Sequence, residues 1–157
     1  MLIQLLCVGK TQTDYIIEGL DEYHKRINKY NKLEIAILPD IKNAAALSPD
    51  QRKNEEGKLI LQHFQVGDWI VLLDEKGKSF SSEQFSEQWQ NWFNRGPKRV
   101  ICVVGGPYGF SKEVYDKAHV KVSLSSLTFS HEMVRLFFLE QLYRAFTIIK
   151  NEPYHHR

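Results

Sequence analysis

Short apolar runs alternate with longer stretches of helical spacing along the whole chain. Leu2 to Val8 is apolar apart from Gln4 and stops at Gly9, a length that suits a strand and not a helix. Tyr15, Ile16, Leu20, Tyr23, Ile27 and Tyr30 then recur at helical spacing, with Thr13 placed to cap and the opposite face charged. Leu33 to Leu38 is a second strand, ended by Pro39. After a polar, alanine-rich connection, Ser48-Pro49-Asp50-Gln51 combines a capping serine, a proline in the first turn and a glutamine that closes a capping box. The helix it predicts runs to about Phe64, with Leu59, Ile60 and Phe64 as apolar anchors. Trp69 to Leu73 is a third strand. Ser81 or Ser82 caps a helix whose Phe85, Trp89, Trp92 and Phe93 lie on one face, the spacing of core packing and not of base stacking.

The fourth strand opens the stretch Val100 to Phe110, VICVVGGPYGF, where apolar residues stop at two adjacent glycines and a third follows Pro107 and Tyr108. Two readings stand for it. Glycines at the carboxyl end of a strand let backbone N–H groups approach a ligand, or they merely allow a tight connection. A short helix from Ser111 to Lys117 and a fifth strand from His119 to Leu124 follow. Strands alternating with helices predict an α/β fold, a parallel sheet with helices on both faces, in a single domain spanning residues 1–157. The letters Gly77-Lys78-Ser79 invite a phosphate-loop reading, but that motif needs a glycine where Leu72 stands, so the segment reads as a solvated turn.

Ser130 caps the last helix, His131 to about Lys150. Val134, Phe138, Leu139, Leu142, Ala145, Phe146 and Ile149 form its core face. Met133, Leu136, Phe137, Tyr143 and Ile148 fall on the other side among Glu132, Arg135, Glu140, Arg144 and Lys150. A helix apolar nearly all round wants a second surface, and a second copy of the chain is the simplest one, so a homodimer is expected.

The 157 residues carry a net charge of only +2, so any nucleic-acid contact must come from a local cluster. Charged residues at 25% and hydrophobic residues at 43% exclude a disordered chain, and no long uncharged apolar stretch spans a bilayer, which leads us to expect an intracellular, cytoplasmic protein without a membrane partner. Cys7 and Cys102 lie in predicted strands and read as buried thiols. His131, His155 and His156 have no spacing of the usual zinc types, so no metal is expected. The chain ends in Tyr154-His155-His156-Arg157. Frayed ends are usual, yet these are hydrogen-bonding and proton-transferring residues, and Arg144 lies upstream on the helix they follow.

VVGGPYGF after a strand, followed by SLSSLTFSHEMVRLFFLEQLYRAFTIIKNEPYHH, resembles the RlmH family of the SPOUT superfamily; CVGK near the start and LDEKGKSFSSEQF extend the likeness over the chain. The resemblance implies a C-terminal trefoil knot, a homodimer, S-adenosylmethionine (SAM) as cofactor, and methyl transfer to N3 of a pseudouridine in 23S ribosomal RNA. It carries cofactor contacts to Leu73, Gly105, Leu124, Ser125, Ser126, Leu127, Thr128 and Phe129. The chemistry needs a proton acceptor and a group for charge on the RNA. Histidine titrates near neutrality and arginine suits an imidate oxygen or a phosphate. We therefore expect Tyr154 and His155 to line the base pocket, His155 as proton acceptor, and Arg144 to hold RNA charge, with His131 and Arg135 secondary. Family members often carry a basic residue directly after the Tyr-His pair, where this chain has His156 and then Arg157. The near-neutral charge points to an assembled subunit or ribosome as substrate, contacted by Arg144, Lys150 and Arg157. The competing classes are a non-catalytic RNA- or ribosome-binding module and a nucleotide-binding hydrolase.

Overall fold

The apolar runs pair side by side in the computed structural model, which describes residues 1–156. β1 (Leu2–Val8), β2 (Lys32–Leu38), β3 (Asp68–Ser79), β4 (Arg99–Val104) and β5 (Val120–Ser123) form one sheet in the order β2-β1-β4-β3-β5, every neighbouring pair parallel. The helices between and after them are α1 (Asp14–Ile27), α2 (Pro49–His63), α3 (Ser82–Asn94), α4 (Lys112–Lys117) and α5 (His131–Ile149). Successive strand residues point to opposite faces. Ile3, Leu5 and Cys7 therefore meet Leu20 and Ile27 of α1, Trp89 of α3 and Phe138 and Leu142 of α5, whereas Leu6, Leu72 and Val103 meet Ile60 of α2 and Val114 of α4. Helices cover both faces, as the alternation predicted.

Ser48 and Ser81 each complete a capping box, with Gln51 and Gln84. Thr13 does not cap α1 with its side chain. Its hydroxyl donates instead to Glu132 Oε2 at 3.0 Å, while the Gln12 and Thr13 N–H groups donate to Glu132 Oε1 at 2.6 and 3.1 Å. The first turn of α5 thus holds the segment that leads into α1 from across the fold, and these backbone donors hold the Glu132 carboxyl below its usual pKa.

Two expectations need correcting. Gly77-Lys78-Ser79 is not a turn: β3 continues through it, and after a register shift Lys78 and Ser79 pair with Val122 and Ser123. The strand passes so close to β5 here that a Cβ on Gly77 would fall 2.6 Å from the Lys121 carbonyl carbon, which is why glycine stands there. Arg135, placed on the polar side of the last helix, is 1% exposed; its guanidinium donates to Thr11 Oγ1 at 2.8 Å and the Val8 carbonyl at 2.9 Å. It ties α5 to the end of β1. Phe137 alone of the second apolar face is exposed; Met133, Leu136, Tyr143 and Ile148 are half-buried.

At the opposite, amino-terminal edge of the sheet, Arg99 donates through Nε and Nη2 to both oxygens of Asp68, at 2.8 and 2.9 Å, and reaches the His63 carbonyl and Gln4. The pair is almost wholly buried. Removing one partner strands the other charge, so Asp68→Ala is expected to lower the unfolding free energy by about 3 kcal/mol in urea titrations.

Candidate active site

The carboxyl ends of β3, β4 and β5 converge on one cavity of about 470 Å³. From β4 the chain enters a four-residue turn, with Gly109 N–H donating to the Gly106 carbonyl at 3.2 Å, Pro107 in second place and Gly109 at φ +80°. The stretch is a tight turn and also a wall of the cavity. Gly105 lies tight against this wall: a Cβ there would sit 3.0 Å from the buried Phe110 ring, which would have to give by a few tenths of an ångström. The β5 loop is built by its own serines: Ser123 Oγ donates to the Ser125 carbonyl at 2.9 Å, and Leu127 N–H donates to Ser125 Oγ at 3.0 Å. Thr128 Oγ1 donates to Glu75 Oε2 at 3.1 Å, tying this loop to β3. Tyr115 donates to Asp74 Oδ2 at 2.5 Å; burial and that carboxylate push its hydroxyl pKa up to about 12.

Of the residues expected to contact a cofactor, Leu73, Gly105, Leu124, Ser125, Leu127, Thr128 and Phe129 line the cavity; Ser126 does not and is exposed. His131 is in the wall, Arg135 is not. The volume lies in the range of small-molecule sites. Asp74 and Glu75 at the rim suit a cation, and the walls mix apolar side chains with open backbone. The residues therefore fit a sulfonium cofactor of SAM's kind.

The tail is ordered against α5 and α3. Arg144 is its hub: Nη2 donates to Glu140 Oε1 at 2.5 Å, Nη1 lies 3.0 Å from His155 Nδ1, and the guanidinium carbon sits 4.8 Å from the centre of the Tyr154 ring. An arginine has only donors, so His155 Nδ1 accepts. The ring's other nitrogen then carries the hydrogen and donates to Glu83 Oε1, 3.1 Å away. Tyr154 donates to Glu140 Oε1 at 3.1 Å and packs edge-on against Tyr143, with ring centres 4.7 Å apart. Burial, with Tyr23 and Glu140 nearby, raises its hydroxyl pKa well above the usual tyrosine value. Burial would lower the Arg144 pKa, but Glu140 overrides it and the net shift is upward.

The structure thus brings Arg144, Tyr154 and His155 together, and none of the three lines the cofactor cavity. A second cavity of about 280 Å³ shares Val122, Leu124, Ser125 and Phe129 with the first and reaches Gln141, beside Glu140. Lys150 and His156 are exposed, and Arg157 lies outside the described residues. Glu140 and Glu83 were not singled out from the sequence. Glu140 stands four residues before Arg144, the helical ion-pair spacing, and was findable; Glu83 carried no such signal.

A family model described as "Predicted SPOUT methyltransferase" matches residues 1–155. The chain belongs to the SPOUT methyltransferase family. Three relatives carry the name ribosomal RNA large subunit methyltransferase H. The chain is 57% identical to that of Christiangramia forsetii over 157 residues, all of both chains. It is 53% identical to that of Parabacteroides distasonis over 156 residues, 99% of each, and 46% identical to that of Bacteroides thetaiotaomicron over 156 residues, again 99% of each. As a SPOUT methyltransferase it takes SAM as methyl donor, the ligand class that the cavity fits. The nucleotide-hydrolase reading falls, since the residues that suggested it are paired within β3.

Proposed function

We propose that this chain methylates N3 of a pseudouridine in the 23S RNA of the large ribosomal subunit, working in the cytoplasm as a homodimer. The observation that carries the proposal is the cavity where three backbone loops meet at the carboxyl ends of adjacent strands. It occurs in a chain that matches large-subunit RNA methyltransferases over their full length. The knotted C-terminal arrangement implied by the family resemblance belongs to the same reading.

When bound, the cofactor supplies a methyl group already activated on a sulfonium. The protein has to place N3 in line with it and take away the N3 proton. His155 is the acceptor in this reading. Both its nitrogens are engaged, so Nδ1 becomes free only when Arg144 turns from it. Arg144 would do so toward the negative charge of a phosphate or of the developing imidate, which couples proton removal to charge stabilisation. Tyr154, kept protonated by its raised pKa, holds the base pocket as a donor and a ring.

Tail and cofactor cavity are separate within one chain, and the exposed Phe137 and Leu127 flank the region between them. In a dimer, one protomer's tail would complete its partner's cavity. Mixing a variant defective at Gly105 with one defective at His155 is then expected to restore up to about a quarter of wild-type activity, by pairing one intact loop with one intact tail. No recovery in mixed dimers would overturn that sharing.

Calorimetric titration with SAM, then methyl transfer to ribosomes lacking the modification, tests the whole reading. Binding with transfer to assembled subunits and little to protein-free RNA is expected; binding no SAM, the chain would be the non-catalytic module. A net charge of +2 leaves little excess positive charge to hold naked RNA, so the preference for subunits should persist at low salt.

A further inference from the structure

The glycine turn is closed on itself by one backbone hydrogen bond, from Gly109 N–H to the Gly106 carbonyl at 3.2 Å, and a cofactor wall built on it gains from support behind it. Helix α2, on the face of the sheet away from the tail, supplies it with two consecutive residues. Glu56 is 6% exposed, and its carboxylate lies directly under Gly106: a Cβ on that glycine would fall 2.5 Å from Oε2 and 2.8 Å from Oε1. Gly57 backs onto the other end of the turn, where a Cβ would fall 2.4 Å from Oγ of Ser111, the residue that caps α4. Arg52, one helical turn before Glu56, pairs with Oε1 at 3.6 Å, and its guanidinium carbon lies 5.7 Å from the centre of the Tyr108 ring, at the tip of the turn.

We propose that Glu56 is a positioning residue for the cofactor: seated beneath Gly106 and steadied by Arg52, its carboxylate sets the height of the glycine turn against the bound methyl donor. Burying a carboxylate is costly, and desolvation does raise its pKa. Arg52 and a backbone hydrogen bond from Gly106 pull the pKa back, while Asp40 adds to the rise. The carboxylate is buried at that cost beside the glycine whose N–H donates to it. α2 itself contributes nothing to the cavity wall. Its effect passes through the turn, as a supporting shell acts on contacts it does not make.

The inference rests on the proposed methyltransferase reading, and the two fail differently. Wild-type protein that binds no SAM sinks the function; wild-type binding with an indifferent Glu56 sinks only the positioning role. Glu56→Ala leaves the Gly106 N–H facing a void and Arg52 unpaired. The expected result is a SAM dissociation constant raised at least about 10-fold, with kcat at saturating SAM within about 2-fold of wild type. Glu56→Gln keeps one acceptor oxygen and should fall between the two. Gly106→Ala should also weaken SAM, and the double variant Glu56→Ala/Gly106→Ala should lose less than the product of the single losses, since the carboxylate the new methyl would strike is gone. Unchanged SAM affinity in Glu56→Ala, or a fall in kcat at unchanged affinity, overturns the proposal. Should Glu56→Ala not fold, Glu56→Gln decides, and less than a 2-fold change in its SAM affinity counts against it.

Discussion

Arg144→Lys is expected to lower kcat for methyl transfer by about 100-fold while leaving SAM affinity and thermal stability near wild type, read by single-turnover transfer to unmodified ribosomes and by calorimetry. The case rests on geometry. One planar guanidinium bonds Glu140 through Nη2 and His155 through Nη1 and lies over the Tyr154 ring. A lysine ammonium is a point charge on a flexible stem; it can keep one of these contacts and cannot supply the fork and the stacking plane together. Its loss therefore releases the tail. The fold should not suffer greatly, since Arg144 is half-buried, and the core of α5 is carried by Phe138, Leu139, Leu142 and Phe146. SAM affinity should hold because Arg144 is not in the cavity wall. A variant with wild-type kcat would remove Arg144 from the reaction; one with equal losses in SAM affinity and kcat would point to a collapsed fold instead.

What the sequence made legible follows what local pattern can carry. The runs at Leu2, Leu33, Trp69 and Val100 became strands because their apolar residues must be covered on both faces, and the serine caps of α2 and α3 were visible because both partners lie within four residues. The cavity was legible as loops at strand ends, though not that Ser126 would point away from it. Contacts that join distant segments left no local trace. Glu132 holds the backbone of Gln12 and Thr13, 120 and 119 residues earlier, and Glu83 meets His155 across 72 residues. Arg135 misled for a related reason: on a helical wheel it joins the charged side, but Val8 and Thr11 reach its guanidinium at the end of β1 and repay its burial. The extension of β3 was hidden because Asp-Glu-Lys-Gly-Lys-Ser has a turn's composition, and only the approach of β5 at Gly77 makes it a strand. Residue type, given the substrate that the family resemblance implies, supplied the tail's chemistry; the polar network that orients it came from the structure.

His155→Ala is expected to cut kcat by between about 100-fold and 10,000-fold, the range for loss of a positioned proton acceptor. Alanine alone cannot separate base from anchor, because His155 also links Arg144 to Glu83. Asparagine and glutamine can. The side-chain oxygen of asparagine falls near the place of Nδ1 and can accept from Arg144, and the amide of glutamine reaches toward the place of Nε2 and can donate to Glu83. Neither takes up a proton near neutral pH. If His155 removes the N3 proton, both variants should be nearly as slow as His155→Ala. If His155 only holds Arg144 in place, His155→Asn should recover most of the wild-type rate. Full activity in His155→Asn would hence assign the tail a positioning role and leave the proton to another acceptor. His131, the one histidine in the wall of the cofactor cavity, would be the next to replace.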